Sequence, residues 1–316
     1  QSGVFFQENI VSTVPSSLEA YVYIGKTLDT VGNNKVNITG NNIELIEFNQ
    51  NLNPVTNITI LYGSGFGDDV YGDGKQLSSF KTLKRIFKEL AYKTITSEVV
   101  IQLDNNVFEI DQKTLEYLKT IKVNNTGSLK VKGIGLQQVL TIDSYTVDSI
   151  IPFKYNISAT GFNTTSDYYS KYFVKSSSSY YPIGNSGDSF IYSSSNITPT
   201  EIYELQTVIS SELEDIFTNT DISLCEGKIV YENILFETLG TIITNIKNIQ
   251  SLEFTTCSFN NNISFNNNIN VIINNSYCEN LNFNSTYSFN IKNSIFTYLS
   301  CSTREENNNI IENTIY

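Results

Sequence analysis

Tyr231-Glu-Asn-Ile-Leu-Phe236, Phe254-Thr-Thr-Cys-Ser-Phe259, Ile273-Asn-Asn-Ser-Tyr-Cys278, Ile291-Lys-Asn-Ser-Ile-Phe296 and Ile311-Glu-Asn-Thr-Ile-Tyr316 are five versions of one six-residue segment. Their starts lie 23, 19, 18 and 20 residues apart. A second track, Ile263-Ser-Phe265, Leu281-Asn-Phe283 and Leu299-Ser-Cys301, repeats at 18 and 18. A period near twenty built on short alternating strands marks a coil that cannot close a core alone and buries its apolar side by stacking on copies of itself. The pattern predicts an all-β chain whose C-terminal half is a right-handed parallel β-helix, an elongated solenoid, with regular coils over 229–316 that are expected to continue beyond Tyr316.

The third position of the segment is Asn233, Thr256, Asn275, Asn293 and Asn313. Asparagine tolerates the left-handed backbone of a tight corner, and its amide can bond the next coil, so these positions predict a corner ladder. Cys278 falls in register with Phe259 and Phe296, and Cys301 with Phe265 and Phe283. Both thiols are expected to point inward as small hydrophobes. There is no CxxC pair and no histidine, which argues against a zinc site.

Upstream, residues 1–55 read as short β-branched strands separated by Gly32-Asn-Asn34 and Gly40-Asn-Asn42, a small β module of its own. The solenoid region is expected over 56–316. Ile58–Tyr62 is a strand, followed by the loop Gly63-Ser-Gly-Phe-Gly-Asp-Asp-Val-Tyr-Gly-Asp-Gly-Lys75. A capping helix is expected at about 79–92, with Ser79 as its cap and Phe80, Leu83, Ile86, Phe87 and Leu90 on one face. Thr114–Ile121 reads as a second short helix. From 151 to 198 the chain is irregular and rich in Ser and Tyr. A helical insertion is expected at about 198–217, because Ile202, Leu205, Ile209, Leu213 and Ile216 follow a helical spacing.

The chain holds 20 Lys+Arg against 32 Asp+Glu, a formal charge of −12, which disfavours nucleic acid and anionic membranes as partners. No apolar run is long enough for a bilayer, so no membrane insertion is expected. Without histidine, no Ser-His-Asp or Cys-His machinery can form. The two arginines, Arg85 and Arg304, lie far apart in sequence, which argues against a uronate lyase.

Three chemical candidates remain. Asp68, Asp69 and Asp73 carry oxygen ligands suited to a Ca²⁺ cofactor, or else serve as turn residues. Glu201 with Glu204 or Asp215 is a candidate carboxylate pair for glycoside hydrolysis, or else a solvated helix face. Tyr168, Tyr169, Tyr172, Tyr180 and Tyr181 form a candidate sugar-stacking surface, or else a β edge or subunit contact.

The run Ile58-Thr-Ile-Leu-Tyr-Gly-Ser-Gly-Phe-Gly-Asp-Asp-Val-Tyr-Gly-Asp-Gly74, then Ser79-Phe-Lys-Thr-Leu-Lys-Arg-Ile-Phe-Lys-Glu-Leu90, resembles the opening of the pectate-lyase-like parallel β-helix domains of phage tail fibres and tailspikes. There a strand, a GDDxxGDG turn and PFKTLxxA lead into a helix that plugs the solenoid. Ser79 stands where that family usually has Pro. The resemblance covers 57–142 and the coils at 229–316. It implies a homotrimer on a phage virion, a structural and host-attachment protein that contacts host-surface polysaccharide. It implies further that the N-terminal module joins other tail or virion proteins. Two other classes fit the residues: an extracellular adhesin of an AT-rich prokaryote, and a polysaccharide depolymerase.

Overall fold

A computed structural model describes residues 18–22, 34–38, 55–150, 153–162, 171–185, 189–193, 196–213, 226–238, 242–244, 249–265, 270–284, 288–302 and 309–312. The chain divides into two compact units, Gln1–Pro54 and Val55–Tyr316. In the first, strands Leu18–Val22 and Asn34–Ile38 pair antiparallel.

The second unit is all-β with long parallel sheets. One eight-stranded sheet runs Ile60–Gly63, Glu98–Leu103, Ser128–Lys132, Lys228–Glu232, Ser251–Thr255, Asn270–Asn274, Ser288–Lys292 and Ile310–Glu312, each strand parallel to the last. A second parallel sheet takes the intervening segments, among them Val107–Glu109, Val208–Ser211, Leu235–Thr238, Ser258–Phe259, Tyr277–Asn284 and Ile295–Ser302. The chain therefore visits each sheet once per repeat.

The registers follow the sequence spacing. Tyr231, Phe254, Ile273, Ile291 and Ile311 stand side by side on neighbouring strands. Phe259, Cys278 and Phe296 do so in the second sheet, as do Phe265, Phe283 and Cys301. In-register stacking sets like rings on like: Phe236 on Phe259 at 4.9 Å, Tyr231 on Phe254 at 5.6 Å, Phe265 on Phe283 at 5.3 Å. These rings are buried in one core with Ile101, Leu129 and Val271, and truncating any one of them to Ala should cost about 3–5 kcal/mol. Cys278 is buried in its column, but Cys301 is exposed, because no described strand pairs with the far side of Ile295–Ser302.

Between the two sheets the backbone turns a corner with φ of +59° at Asn233, +52° at Thr256, +49° at Asn275 and +50° at Asn293. Asn293 Nδ2 donates to Asn275 Oδ1 at 3.1 Å. Next to this column runs a second one. Ser294 Oγ accepts from Ser276 N, and Ser276 Oγ accepts from Cys257 N, each at 3.1 Å. Backbone N–H groups that a tight corner would leave orphaned are thus taken up by the following coil. Asn313 lies outside the described residues.

Helices α1 (Leu83–Leu90) and α2 (Gln112–Lys119) pack against each other and into the same core through Leu83, Ile86, Phe87, Leu90, Leu115 and Leu118. The capping helix is shorter than 79–92. Its N-cap is Thr82, whose side chain accepts from Arg85 N, and not Ser79. Residues 79 and 80 remain extended because Phe80 N donates to Tyr62 O and Ser64 N to Phe80 O, which holds this stretch along the edge of strand Ile60–Gly63.

The segment from about 137 to 205 forms two four-stranded antiparallel sheets, one containing Gln137–Thr141, Tyr172–Ser176, Ser179–Pro182 and Glu201–Glu204, the other Ser144–Ile150, Phe153–Ser158, Gly184–Asn185 and Ser189–Ser193. The helical insertion expected at about 198–217 is therefore corrected: Glu201–Glu204 and Val208–Ser211 are strands. Its apparent helical spacing comes from three different cores. Ile202 packs between the two antiparallel sheets, Leu205 packs with Leu136 and Leu235, and Ile209 belongs to the core of the parallel sheets. The inserted module leaves and rejoins the parallel unit at one place. Ile134 N donates to Thr207 Oγ1, which itself donates to Asp104 O. Gly133 is required there, since a Cβ would come within 2.1 Å of Asn233 O.

Candidate functional site

The aspartates of the Gly-rich loop are spent on local structure. Asp68 Oδ1 accepts from Tyr71 N at 3.0 Å and Val70 N at 2.7 Å, and these bonds lower its pKa. Asp69 accepts from Lys81 N, Thr82 N and Thr82 Oγ1, so it anchors the loop to the first turn of α1. Asp73 pairs with Lys75 at 2.5 Å. Asp104, which belongs to no motif, secures the near side of the loop through Ser64 Oγ and Gly65 N. Each carboxylate serves a different turn, and among the described residues no cluster of three acidic or thiol groups is placed to hold a metal ion. Arg85 is also structural. It donates to Asp69 O, pairs with Glu89 and stacks over Phe80 at 4.4 Å. From this anchored loop Phe66, Val70, Tyr71 and Leu77 project, each more than three-quarters exposed.

The inserted module carries the other candidates. Glu201 and Glu204 sit three apart on a strand, where alternation sends them to opposite faces. Glu201 accepts from Tyr203 Oη at 2.8 Å, while Glu204 pairs with Lys171 and receives Gln206 Nε2. On opposite faces of one strand, Glu201 and Glu204 do not flank a common scissile bond. Asp215 lies outside the described residues, as do Tyr168 and Tyr169.

Of the other tyrosines, Tyr181 is 7% exposed and packs in the core between the antiparallel sheets. It is removed from the sugar-stacking set, because its strand turns it inward opposite Val174. Tyr172 is half-buried edge-on to Phe162. Tyr180 meets Tyr203 edge-to-face at 5.3 Å. Lys175 Nζ donates to Tyr203 Oη at 3.2 Å and lies over the same ring. Hydrogen bonding to Glu201 raises the Tyr203 pKa, and the Tyr203 hydroxyl raises that of Lys175. The result is a neutral phenol wedged between one ammonium and one carboxylate.

A concave site lies elsewhere, on the outward face of the first parallel sheet. A cavity of about 320 Å³ crosses the strands from Lys228–Glu232 to Ile310–Glu312. Among the described residues its polar lining includes Lys228, Glu253, Asn270 and Asn290, and its apolar lining includes Ile272 and Ile310. Lys228 Nζ and Glu253 Oε1 are 3.4 Å apart, and Ser251 Oγ donates to Glu253 Oε1. Asn270 donates to Gln250 O and accepts from Ser288 Oγ at 2.6 Å. Asn290 Oδ1 is shut off from solvent with no hydrogen-bond partner among the described residues. The groove escapes sequence reasoning because its lining is spread over five strands far apart in the chain, with at most three residues from any one of them. The signal that would find it is the outward positions of the repeat, read as columns: Glu253, Ile272, Asn290 and Ile310 are in register on four neighbouring strands.

No family model matches the chain, and no curated protein or solved structure is found similar to it.

Proposed function

We propose that residues 56–316 form a right-handed parallel β-helix of the kind found in phage tail fibres and tailspikes, and that the protein is a host-attachment component that binds surface polysaccharide without cleaving it. The fold part of this reading is supported by the strand, anchored Gly-Asp loop and buried helix at the start of the unit, followed by strands that alternate between two parallel sheets with like residues in register. Parallel crossovers are almost always right-handed. A homotrimer, a place on the virion and an attachment role for residues 1–55 belong to the same reading through the resemblance of that opening.

The observation that carries the binding role is the groove across consecutive strands. It crosses consecutive stacked strands and combines amide and hydroxyl groups with a larger aliphatic surface, the mixture that the polar and apolar faces of a sugar ring engage. A binding rather than a hydrolytic role is favoured by the carboxylates: Glu201 and Glu204 face apart, and Glu253 is engaged by Lys228 and Ser251.

The test is to immobilise surface polysaccharides from a panel of bacteria, measure binding of the purified chain by biolayer interferometry, and assay the same mixtures for new reducing ends. Saturable binding to at least one polysaccharide with no rise in reducing ends is expected. Release of reducing ends would replace attachment by depolymerisation, and an absence of binding across the panel would refute the role.

A further inference from the structure

The inserted module has one unguarded side. Strands Gln137–Thr141 and Ser144–Ile150 follow each other in the chain, and each is the edge of its own antiparallel sheet. The sheet that begins with Ser144–Ile150 ends with Gly184–Asn185. That far end is closed: a Cβ on Gly184 would come within 3.1 Å of Ile295 Cδ1, so the parallel unit abuts it. The near end is open, since among the described residues no strand lies beyond Ser144–Ile150.

Tyr145 stands opposite Ile157, and Val147 opposite Tyr155. Directly opposed residues share one face of a sheet, and Ile157 and Tyr155 are buried in the core between the two antiparallel sheets. Tyr145 and Val147 therefore point to the core side, yet they are 39% and 47% exposed. Tyr145 meets that core only at its rim, edge-on to Tyr155 at 5.8 Å. The core is left uncovered along this edge. Soluble proteins guard such edges with lysine or proline. Ser144-Tyr-Thr-Val-Asp-Ser-Ile150 has neither, and its one charged residue, Asp148, is paired with Lys154 at 3.2 Å. A bulge between Val147 and Ser149 interrupts the strand but leaves Ser144–Val147 regular.

We propose that this edge pairs, antiparallel and across a two-fold axis, with the same edge of a second copy of the chain. The sequence around Thr146 is complementary to itself in that register. Tyr145 meets the second copy's Val147, Thr146 meets Thr146, and Ser144 meets Asp148. An aromatic beside a β-branched residue and Thr beside Thr are favourable cross-strand pairs, and no carboxylate opposes another. The match is to this sequence itself, which singles out a second copy over a foreign strand. A two-fold contact uses the open edge of both copies at once, so the pairing closes and does not propagate. Few residues from each copy take part, far fewer than in a standard interface, so the pair is expected only at high protein concentration. It involves neither the groove nor the loop at Phe66, and so stands apart from the polysaccharide and trimer readings.

The experiment is disulfide cross-linking of the full chain at high protein concentration, with the parent chain setting the background from its own cysteines. Opposed residues of an antiparallel pair lie about 4.5–5.5 Å apart at Cα, within disulfide reach. Thr146→Cys is expected to give a covalent species of twice 35.6 kDa. Ser144→Cys lies on the same face, but in this register it is offset from its own copy by about 13 Å of strand, beyond that reach. Its yield is expected to be lower by about tenfold or more. Val147→Lys, added to Thr146→Cys, is expected to abolish the cross-link while circular dichroism and melting match the parent. Equal yields from Thr146→Cys and Ser144→Cys, or a yield no higher than the parent's, overturn the pairing. A cross-link that a folded Val147→Lys variant leaves unchanged overturns it as well. If Val147→Lys fails to fold, the comparison of Thr146→Cys with Ser144→Cys decides alone.

Discussion

Thr256 occupies a backbone position that β-branched residues avoid. Its φ of +52° matches those of Asn233, Asn275 and Asn293 in the same column. A left-handed conformation costs a non-glycine residue about 1–2 kcal/mol, and asparagine relieves part of this. Thr256→Asn is therefore expected to stabilise the protein by about 1 kcal/mol, seen as a higher urea midpoint with an unchanged slope. Asn275→Thr should lower the midpoint by a similar amount and also lose the bond from Asn293 Nδ2. This column was legible in the sequence because a corner imposes a backbone demand that few residue types meet. The groove was not, because an outward position on a strand imposes almost none.

The cysteines show a second residue-level effect. Burial pushes the Cys257 thiol up to about 12, and Cys278 is pushed up for the same reason. In the unfolded chain a thiol titrates near 8.5. Below that value both states are protonated and the stability is fully present. Above it the unfolded chain releases protons that the folded chain keeps, so stability falls as pH rises through the folded value. The expected slope is about 1.4 kcal/mol per pH unit for each buried thiol. Urea midpoints between pH 8 and 10.5 should drop less steeply in Cys257→Ala than in the parent protein, and equal slopes would contradict the burial assigned to this thiol. Iodoacetamide at pH 8 should label Cys301 and spare Cys257 and Cys278 until the protein is unfolded.

At the level of elements, the parallel repeat and the inserted module contrast in how they are written. In the repeat, one core imposes one pattern on successive strands, and spacing alone aligned Tyr231, Phe254, Ile273 and Ile291. In the inserted module Ile202, Leu205 and Ile209 answer to three cores, and their combined spacing imitates a helix. The module's independence can be tested. Strands Ser128–Lys132 and Val107–Glu109 take their next neighbours from Lys228–Glu232 and Val208–Ser211, not from the module. Its departure and return are already joined through Ile134 N and Thr207 Oγ1. Replacing 135–206 by a short Gly-Ser turn is expected to leave a cooperatively unfolding parallel unit with its far-ultraviolet strand signal intact. It should be less stable by about 2–3 kcal/mol, because Leu235 and its neighbours become exposed. Loss of cooperative unfolding would show that the parallel sheets depend on the module for their assembly.

For the whole molecule, the decisive quantity is the number of chains. The trimer proposed from the resemblance predicts a particle of three times 35.6 kDa. Three chains of charge −12 repel one another, so self-association should strengthen as salt rises and screens that repulsion. Mass photometry across a salt series is expected to show the trimer at physiological ionic strength and partial dissociation near 10 mM salt. The loop bearing Phe66, Val70, Tyr71 and Leu77 is the exposed apolar surface on which the proposed contact is tested. Its large apolar side chains are exposed on a backbone already fixed by Asp68, Asp69 and Asp104, so ordering it on contact costs little. Phe66→Ser combined with Leu77→Ser should shift the distribution towards single chains while leaving the melting of each chain unchanged, since neither side chain enters the core. A trimer that survives this double change would move the interface to another surface. A parent protein that stays a single chain at every salt concentration would remove the proposed trimer and favour the alternative proposal of a monomeric surface adhesin.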